Sequence, residues 1–172
     1  MTLKTTAPKL DNREQQPYAG IRTQVSMKEL PTVIPQYIDE VAAWLGQQGA
    51  APDGPPLMRL HACPIIPGPD ALVDITVGWP VATALTGDNR IVADALPAGR
   101  YASLIYTGVE NGIEGNGVLM NWAKDQGIEW DHWDIPNGDA FAGRVEYMMD
   151  GPDDDPNTEN WRTEVAVKRA DS

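Results

Sequence analysis

The chain has 172 residues, 42% of them hydrophobic, and its 13 basic and 25 acidic side chains give a formal net charge of −12. That length allows one well-buried core and makes a single domain the natural expectation. Nucleic-acid binding relies on Lys and Arg neutralising phosphates, so an acidic chain without a basic stripe predicts no nucleic-acid partner. No apolar run approaches the ~20 residues of a membrane-spanning helix, so we expect no membrane partner.

The start of the chain, MTLKTTAPKLDNR, is polar and lacks the apolar core of a secretory signal. We therefore expect a flexible tail over residues 1–13, a single domain over residues 14–170 and a cytoplasmic location. Cys63 is the only cysteine, and a small buried hydrophobe is its simplest interpretation. Because the only histidines, His61 and His132, are unsuitably spaced, the sequence predicts no metal site, and nothing in it indicates a cofactor.

The first half of the domain is predicted to form a strand, a helix and two strands. Residues 18–25, YAGIRTQV, alternate apolar and polar side chains, which is typical of a strand. A helix follows within residues 27–49, with Pro35 in its first turn and Gly49 at its C-terminal end. The segments PPLMRLHAC and ALVDITVGWPV are strand candidates joined by the turn-rich sequence PIIPGPD.

The same order recurs in the second half. GRYASLIYTG predicts a strand, VLMNWAKDQG a helix ending at Gly127, and GRVEYMMD and NWRTEVAVKRA two more strands. Tyr18 corresponds to Tyr101 in this comparison, and both helices end in Gln-Gly. We therefore predict an internal repeat over about residues 14–87 and 88–170.

Two such units predict the architecture. The expected fold is α+β, with two pseudo-symmetric strand-helix-strand-strand units forming one curved, largely antiparallel sheet. Both helices then lie on one face, and a ligand groove lies between the halves.

The segment RVEYMMD contains a lone carboxylate, Glu146. Because strand side chains alternate, Glu146 shares its face with Arg144 and Met148. The alternate set is the better candidate for packing under the helices: Val145, Tyr147 and Met149. Glu146 would then point into a groove on the other face, and aligning Arg59-Leu60-His61 with Arg144-Val145-Glu146 places His61 across that groove. The alternative is a solvated Glu146 paired with Arg144.

Six segments resemble, in order, the GyrI-like family: YAGIRTQV, PPLMRLH, VGWPV, LPAGRYASLIYTG, RVEYMMDGP and WRTEVAVKRAD. This family is the small-molecule-binding domain also found as the effector-binding domain of AraC-type and MerR-type regulators. The resemblance spans about residues 18–170 and implies the two-unit fold. It also implies an acidic pocket residue on the strand before the last one, which is Glu146 when counted back from Pro152. No segment resembles the DNA-reading domain of such regulators, so we expect a stand-alone binding domain.

Two departures from the family pattern concern the ligand rather than the fold. Family members often carry an aromatic residue two positions after the acid, where this chain has Met148. They also often carry a turn reading GPY, where this chain has Val109 and Glu110.

The first functional hypothesis is the binding of small aromatic or cationic organic molecules in a central aromatic pocket. A buried Glu146 would attract a delocalised cation, and ring faces would add cation–π contributions. The other candidate ligand-binding residues are His61, Trp79, Tyr106, Trp122 and Met148. Core packing is the alternative for the aromatic residues, and it is the better interpretation of Trp122.

Two further hypotheses belong to other classes. Some stand-alone GyrI-like proteins hydrolyse strained cyclopropane-bearing compounds, so the resemblance implies Glu146 as a general base, assisted by Tyr106 or His61. The acidic run DGPDDDP would suit a protein–protein interaction module. Binding alone accounts for the sequence features, and the natural ligand and the oligomeric state stay open.

Overall fold

The structure is a computed structural model that describes residues 3–171. Within these residues the chain forms two α-helices and ten strands, joined by turns that include three short 3-10 segments. In chain order these are β1 (Lys9–Arg13), β2 (Gln16–Ser26), α1 (Leu30–Gln47), β3 (Leu57–Pro64), β4 (Leu72–Pro80), β5 (Val92–Leu96), β6 (Gly99–Thr107), α2 (Gly112–Asp125), β7 (His132–Ile135), β8 (Gly138–Phe141), β9 (Arg144–Met148) and β10 (Arg162–Lys168).

All ten strands belong to one curled antiparallel sheet. The strand order is β1-β6-β10-β9-β3-β4-β2-β5, and the β7–β8 hairpin joins the sheet through β3. The two halves meet where β3 pairs with β9. Strand, helix, strand and strand therefore occur twice, as β2-α1-β3-β4 and, with the β7–β8 hairpin inserted, as β6-α2-β9-β10. The predicted α+β fold is confirmed.

The ends of the helices repeat in detail. Gln48 and Gln126 cap the two helices, and the glycines that follow, Gly49 and Gly127, have φ values of 67° and 70°. Glycine is favoured in this left-handed conformation because it has no Cβ to clash with the backbone.

The leading strand of each half pairs with the other half. β1 pairs with β6, and β5 pairs with β2. The expectation of a flexible tail is therefore wrong for residues 9–13, and Thr6 also donates its backbone N–H to the Ile105 carbonyl at 2.8 Å. The mostly polar strand β1 covers a sheet edge, which needs backbone partners more than apolar side chains. Residues 1 and 2 of the expected tail lie outside the described residues.

Helix α1 begins earlier than the sequence predicted. Pro31 occupies the first turn, and Pro35 lies inside the helix. The side chain of Pro35 is exposed, so its ring points away from the core. The helix loses one backbone hydrogen bond there, and its apolar face compensates by packing on β4 and β2.

Both helices cover the same face of the sheet, as predicted. The opposite face is also buried, in a cluster of Tyr18, Leu57, Leu96, Tyr101, Val145 and Ala166. Tyr18 and Tyr101, which correspond in the repeat, are thus both in this cluster. None of the helices within residues 3–171 is both long and apolar enough to span a membrane.

Candidate functional site

Glu146 lies near the middle of the sheet, where the two halves meet. It is opposite Met58 of β3 on one side and Val165 of β10 on the other. The row continues through Val77 and Leu104 at either end. Glu146 is therefore the single carboxylate in a cross-strand row of apolar side chains, and it is only 8% exposed.

This row lies on the helix-covered face, and the predicted orientation of β9 is therefore wrong. Val165 and Leu104 pack with α2 residues, whereas Val145 packs in the cluster on the opposite face. Arg144, Glu146 and Met148 do share a face, as predicted, but it is the face beneath the helices. Glu146 therefore faces the side of the sheet on which both helices pack.

Tyr106 of β6 is the direct partner of Glu146. Its hydroxyl donates a hydrogen bond to Glu146 Oε1 at 2.6 Å. Burial raises the pKa of Glu146, and hydrogen bonds from Tyr106 and Asn116 together with the charge of Arg144 oppose that rise. Burial and the neighbouring carboxylate also raise the pKa of Tyr106, so its hydroxyl stays a donor at neutral pH.

Replacing Tyr106 by Phe should remove this donor and leave the carboxylate with less compensation. We expect the free energy of unfolding at neutral pH to fall by about 1–3 kcal/mol, the usual cost of depriving a buried polar group of its partner. Denaturant unfolding measures the change. Tyr147→Phe is the control, since Tyr147 lies on the opposite face, and equal losses in both variants would contradict the prediction.

Arg144 lies on the same strand and face as Glu146 without binding it. Its Nη2 donates to Asn116 Oδ1 at 2.8 Å, and its guanidinium carbon lies 4.7 Å from the centre of the Phe141 ring. Within residues 3–171, no ion pair joins Arg144 to a carboxylate, and its buried Nε has no hydrogen-bond partner. Phe141 and Asn116 thus hold the positive charge beside the carboxylate but apart from it.

Glycines bring α2 down onto Tyr106. A Cβ at Gly115 would lie 2.7 Å from Tyr106 Cγ, and one at Gly112 would lie 3.3 Å from the Tyr106 hydroxyl. This close approach sets Asn116, the next residue of the helix, over Arg144 and Glu146. The glycines therefore determine the position of a polar group of the site.

His61 does not face Glu146, and the predicted placement is wrong. Its ring Nε2 lies 2.7 Å from Thr76 Oγ1, and Thr76 belongs to the row of Arg59 on the opposite face. A bulge between Leu60 and Ala62 shifts the register of β3 at this point. Burial, with the nearby charges of Arg22 and Arg59, lowers the pKa of His61 to about 4, so it is neutral at neutral pH.

The other predicted site residues differ in their distance from Glu146. Met148 occupies the next helix-side row, opposite Thr163, which pairs with Tyr106. Trp79 packs beneath α1 and donates its indole N–H to the Ile38 carbonyl at 2.9 Å. Its ring thus anchors helix α1 to the sheet.

Trp122 lies at the outer end of α2. It lines a surface cleft of about 380 Å³ together with Leu10, Gln126 and Arg169. Another cleft, of about 490 Å³, includes Arg13 and Tyr147 and lies away from Glu146. Glu146 lines neither of these two clefts.

The chain was compared with known proteins at the level of sequence and of structure. The sequence profile of the GyrI-like small molecule binding domain matches residues 6–168. The chain belongs to the GyrI-like family. No curated protein matches its sequence.

Solved structures share the GyrI-like fold at low sequence identity. EcmrR in its DNA complex is 14% identical with a TM-score of 0.69, and the match covers 96% of this chain but only 58% of EcmrR. The structure of SAV2435 bound to tetraphenylphosphonium is 14% identical with a TM-score of 0.59, covering 96% of this chain and 94% of that one. A hydrolase from Listeria innocua is 11% identical with a TM-score of 0.60, covering 95% and 91%.

Asn116 is the site residue of this GyrI-like domain that sequence reasoning missed. The predicted helix began at residue 118, because the glycine-rich stretch GIEGNG has low helix propensity. In the structure α2 begins at Gly112, and two of these glycines lie over Tyr106. The spacing of Gly112 and Gly115, followed by Asn116, was the available signal of a helix packed closely on an aromatic ring.

Proposed function

We propose that this protein binds small organic molecules between α1 and α2, above Glu146. The observation that carries the proposal is a nearly buried carboxylate in an apolar row, which accepts a hydrogen bond from the Tyr106 hydroxyl. A carboxylate buried in this way destabilises the free protein, so we expect it to be retained for a function. Acids with perturbed pKa values cluster at functional sites.

The chemistry of the ligand follows from the surroundings. Glu146 would accept hydrogen bonds from a cationic or donor group, and the low dielectric would strengthen that attraction. Met58 and Met148 offer adaptable apolar surface beside it. Tyr106 supplies an aromatic ring beside the carboxylate, and the binding of tetraphenylphosphonium by the similar SAV2435 makes an aromatic cation a suitable first probe.

The test is calorimetric titration of the protein with tetraphenylphosphonium and with small aromatic amines. We expect Glu146→Gln to weaken the binding of any ligand found by at least about tenfold, the effect of losing a close opposite charge. Glu164→Gln makes the same change of net charge on the neighbouring strand β10, but on the opposite face, where Glu164 is opposite Tyr147. Equal affinities for wild type and Glu146→Gln, or no binding of any probe, would contradict the proposal.

A second candidate function is hydrolysis of a strained, electrophilic ring. The observation favouring it is the raised pKa of Glu146 beside the Tyr106 hydroxyl, which suits a general base at neutral pH. Glu146 would take a proton from water as the water oxygen bonds to a ring carbon and a strained carbon–carbon bond breaks. The electron pair of the broken bond would then take that proton back from Glu146, so that the product is the compound plus one water. Mass spectrometry of cyclopropane-bearing compounds after incubation should show the gain of one water, which Glu146→Gln should abolish; no turnover would exclude this function for the compounds used.

A further inference from the structure

The site contains the positive charge of Arg144 beside the negative charge of Glu146. This second charge distinguishes it from a site that binds a simple cation. Arg144 and Glu146 are two positions apart on the same face of β9, so their backbones are about 7 Å apart. A guanidinium and a carboxylate at this spacing could bind one another. They do not, because Phe141 and Asn116 hold the guanidinium.

The guanidinium also has unused hydrogen-bonding capacity. Among residues 3–171, its only hydrogen bond runs from Nη2 to Asn116 Oδ1, and its Nε is buried without a partner. An unpaired buried donor costs free energy in the free protein. A ligand acceptor placed beside Arg144 would recover part of that cost, in the same way that a donor beside Glu146 would compensate the carboxylate.

We propose that the ligand is amphoteric, with a cationic or donor group that meets Glu146 and an anionic or acceptor group that meets Arg144. This inference rests on the proposed function and narrows its ligand class. A ligand carrying only positive charge gains the attraction of Glu146 but meets the repulsion of Arg144. A zwitterion whose two charges are about as far apart as residues 144 and 146 along β9, roughly 7 Å, can interact favourably with both side chains.

The test compares three probes of graded charge by calorimetric titration at neutral pH and low salt. They are para-aminomethylbenzoate, a zwitterion with its charges on opposite sides of a benzene ring; para-methylbenzylamine, which keeps only the cation; and tetraphenylphosphonium. We expect wild type to bind the zwitterion about tenfold more tightly than the amine, the size of one favourable charge contact.

Arg144→Gln should reverse this order. It should weaken zwitterion binding about tenfold and strengthen the binding of the amine and of tetraphenylphosphonium by a similar factor. Arg144→Lys keeps the charge and is the matched control that should retain the wild-type order. If Arg144→Gln does not fold, the wild-type order of the zwitterion and the amine is itself decisive.

The outcomes separate this inference from the proposed function. If Glu146→Gln abolishes binding while Arg144→Gln leaves every affinity unchanged, the protein binds ligands at this site but the amphoteric class is wrong. A wild type that binds the amine as tightly as the zwitterion leads to the same conclusion. If neither substitution changes any affinity, or if no probe binds, both the inference and the proposed function are contradicted.

Discussion

Replacing Glu146 by Gln is expected to make the free protein more stable at neutral pH, by about 1–3 kcal/mol, the usual cost of a poorly compensated buried polar group. Burial raises the pKa of Glu146 above its value in the unfolded chain. Folding therefore favours the protonated form, and this carboxyl group reduces stability progressively as the pH rises from the unfolded pKa through the folded one. Glutamine has nearly the same shape and no charge, so it avoids that loss.

Urea unfolding of wild type and variant over a range of pH values measures the effect. The difference should be small in acid, where both side chains are neutral, and should grow with pH until Glu146 is fully ionised. Glu164→Gln is the control, because Glu164 accepts a hydrogen bond from Arg13 at 2.9 Å and its loss should not stabilise the protein. A Glu146→Gln variant that is less stable than wild type at neutral pH would contradict the account.

Replacing Gly115 by Ala is expected to lower the free energy of unfolding by about 1–3 kcal/mol, as overpacking of a core usually does. The new methyl group would meet the Tyr106 ring at 2.7 Å, and α2 would have to move away from the sheet. Because α2 carries Asn116, that movement should also disturb Arg144 and weaken ligand binding.

Gly117 supplies the matched control in the same helix. A Cβ there meets nothing within 4 Å, so Gly117→Ala should stabilise the helix by about 0.5–1 kcal/mol through the better helix propensity of alanine. Denaturant unfolding of both variants gives the comparison. A gain in stability in both would show that α2 does not rest closely on Tyr106.

Strand alternation identified the companions of Glu146 but not the face on which they lie. The sequence rule takes the more apolar side of a strand as the buried one, and in β9 that side carries Val145 and Tyr147. Here both faces of the curled sheet carry buried side chains at β9, because Val145 belongs to a second cluster, with Tyr18 and Tyr101, on the face away from the helices. The alternation therefore could not show which side lies beneath the helices.

The predicted position of His61 is wrong because of a local feature of β3. The alignment of the two halves assumed an unbroken strand, and the bulge after Leu60 breaks it. Bulges have weak sequence signals when no glycine marks them. The resemblance to the GyrI-like family, in contrast, singles out Glu146, which is buried in the structure, because it depends on the order of segments and not on the face of a strand.

The aromatic residues of the sequence were a poor guide to which side chains lie near Glu146. Trp79 and Trp122 were both candidates because large rings border many binding sites. The structure uses the indole N–H of Trp79 to hold α1 and places Trp122 at an outer cleft. Hydrogen bonds from side chains to distant backbone atoms depend on tertiary packing, which residue type and spacing do not determine.

The most direct test of the central claim is the pKa of Glu146, measured by carboxyl-carbon NMR titration of the free protein and of its complex with a bound cation or zwitterion. The account predicts a raised pKa in the free protein that falls when a positive group of the ligand reaches the carboxylate. A pKa of Glu146 that is ordinary in the free protein, or that does not change on binding, would contradict it.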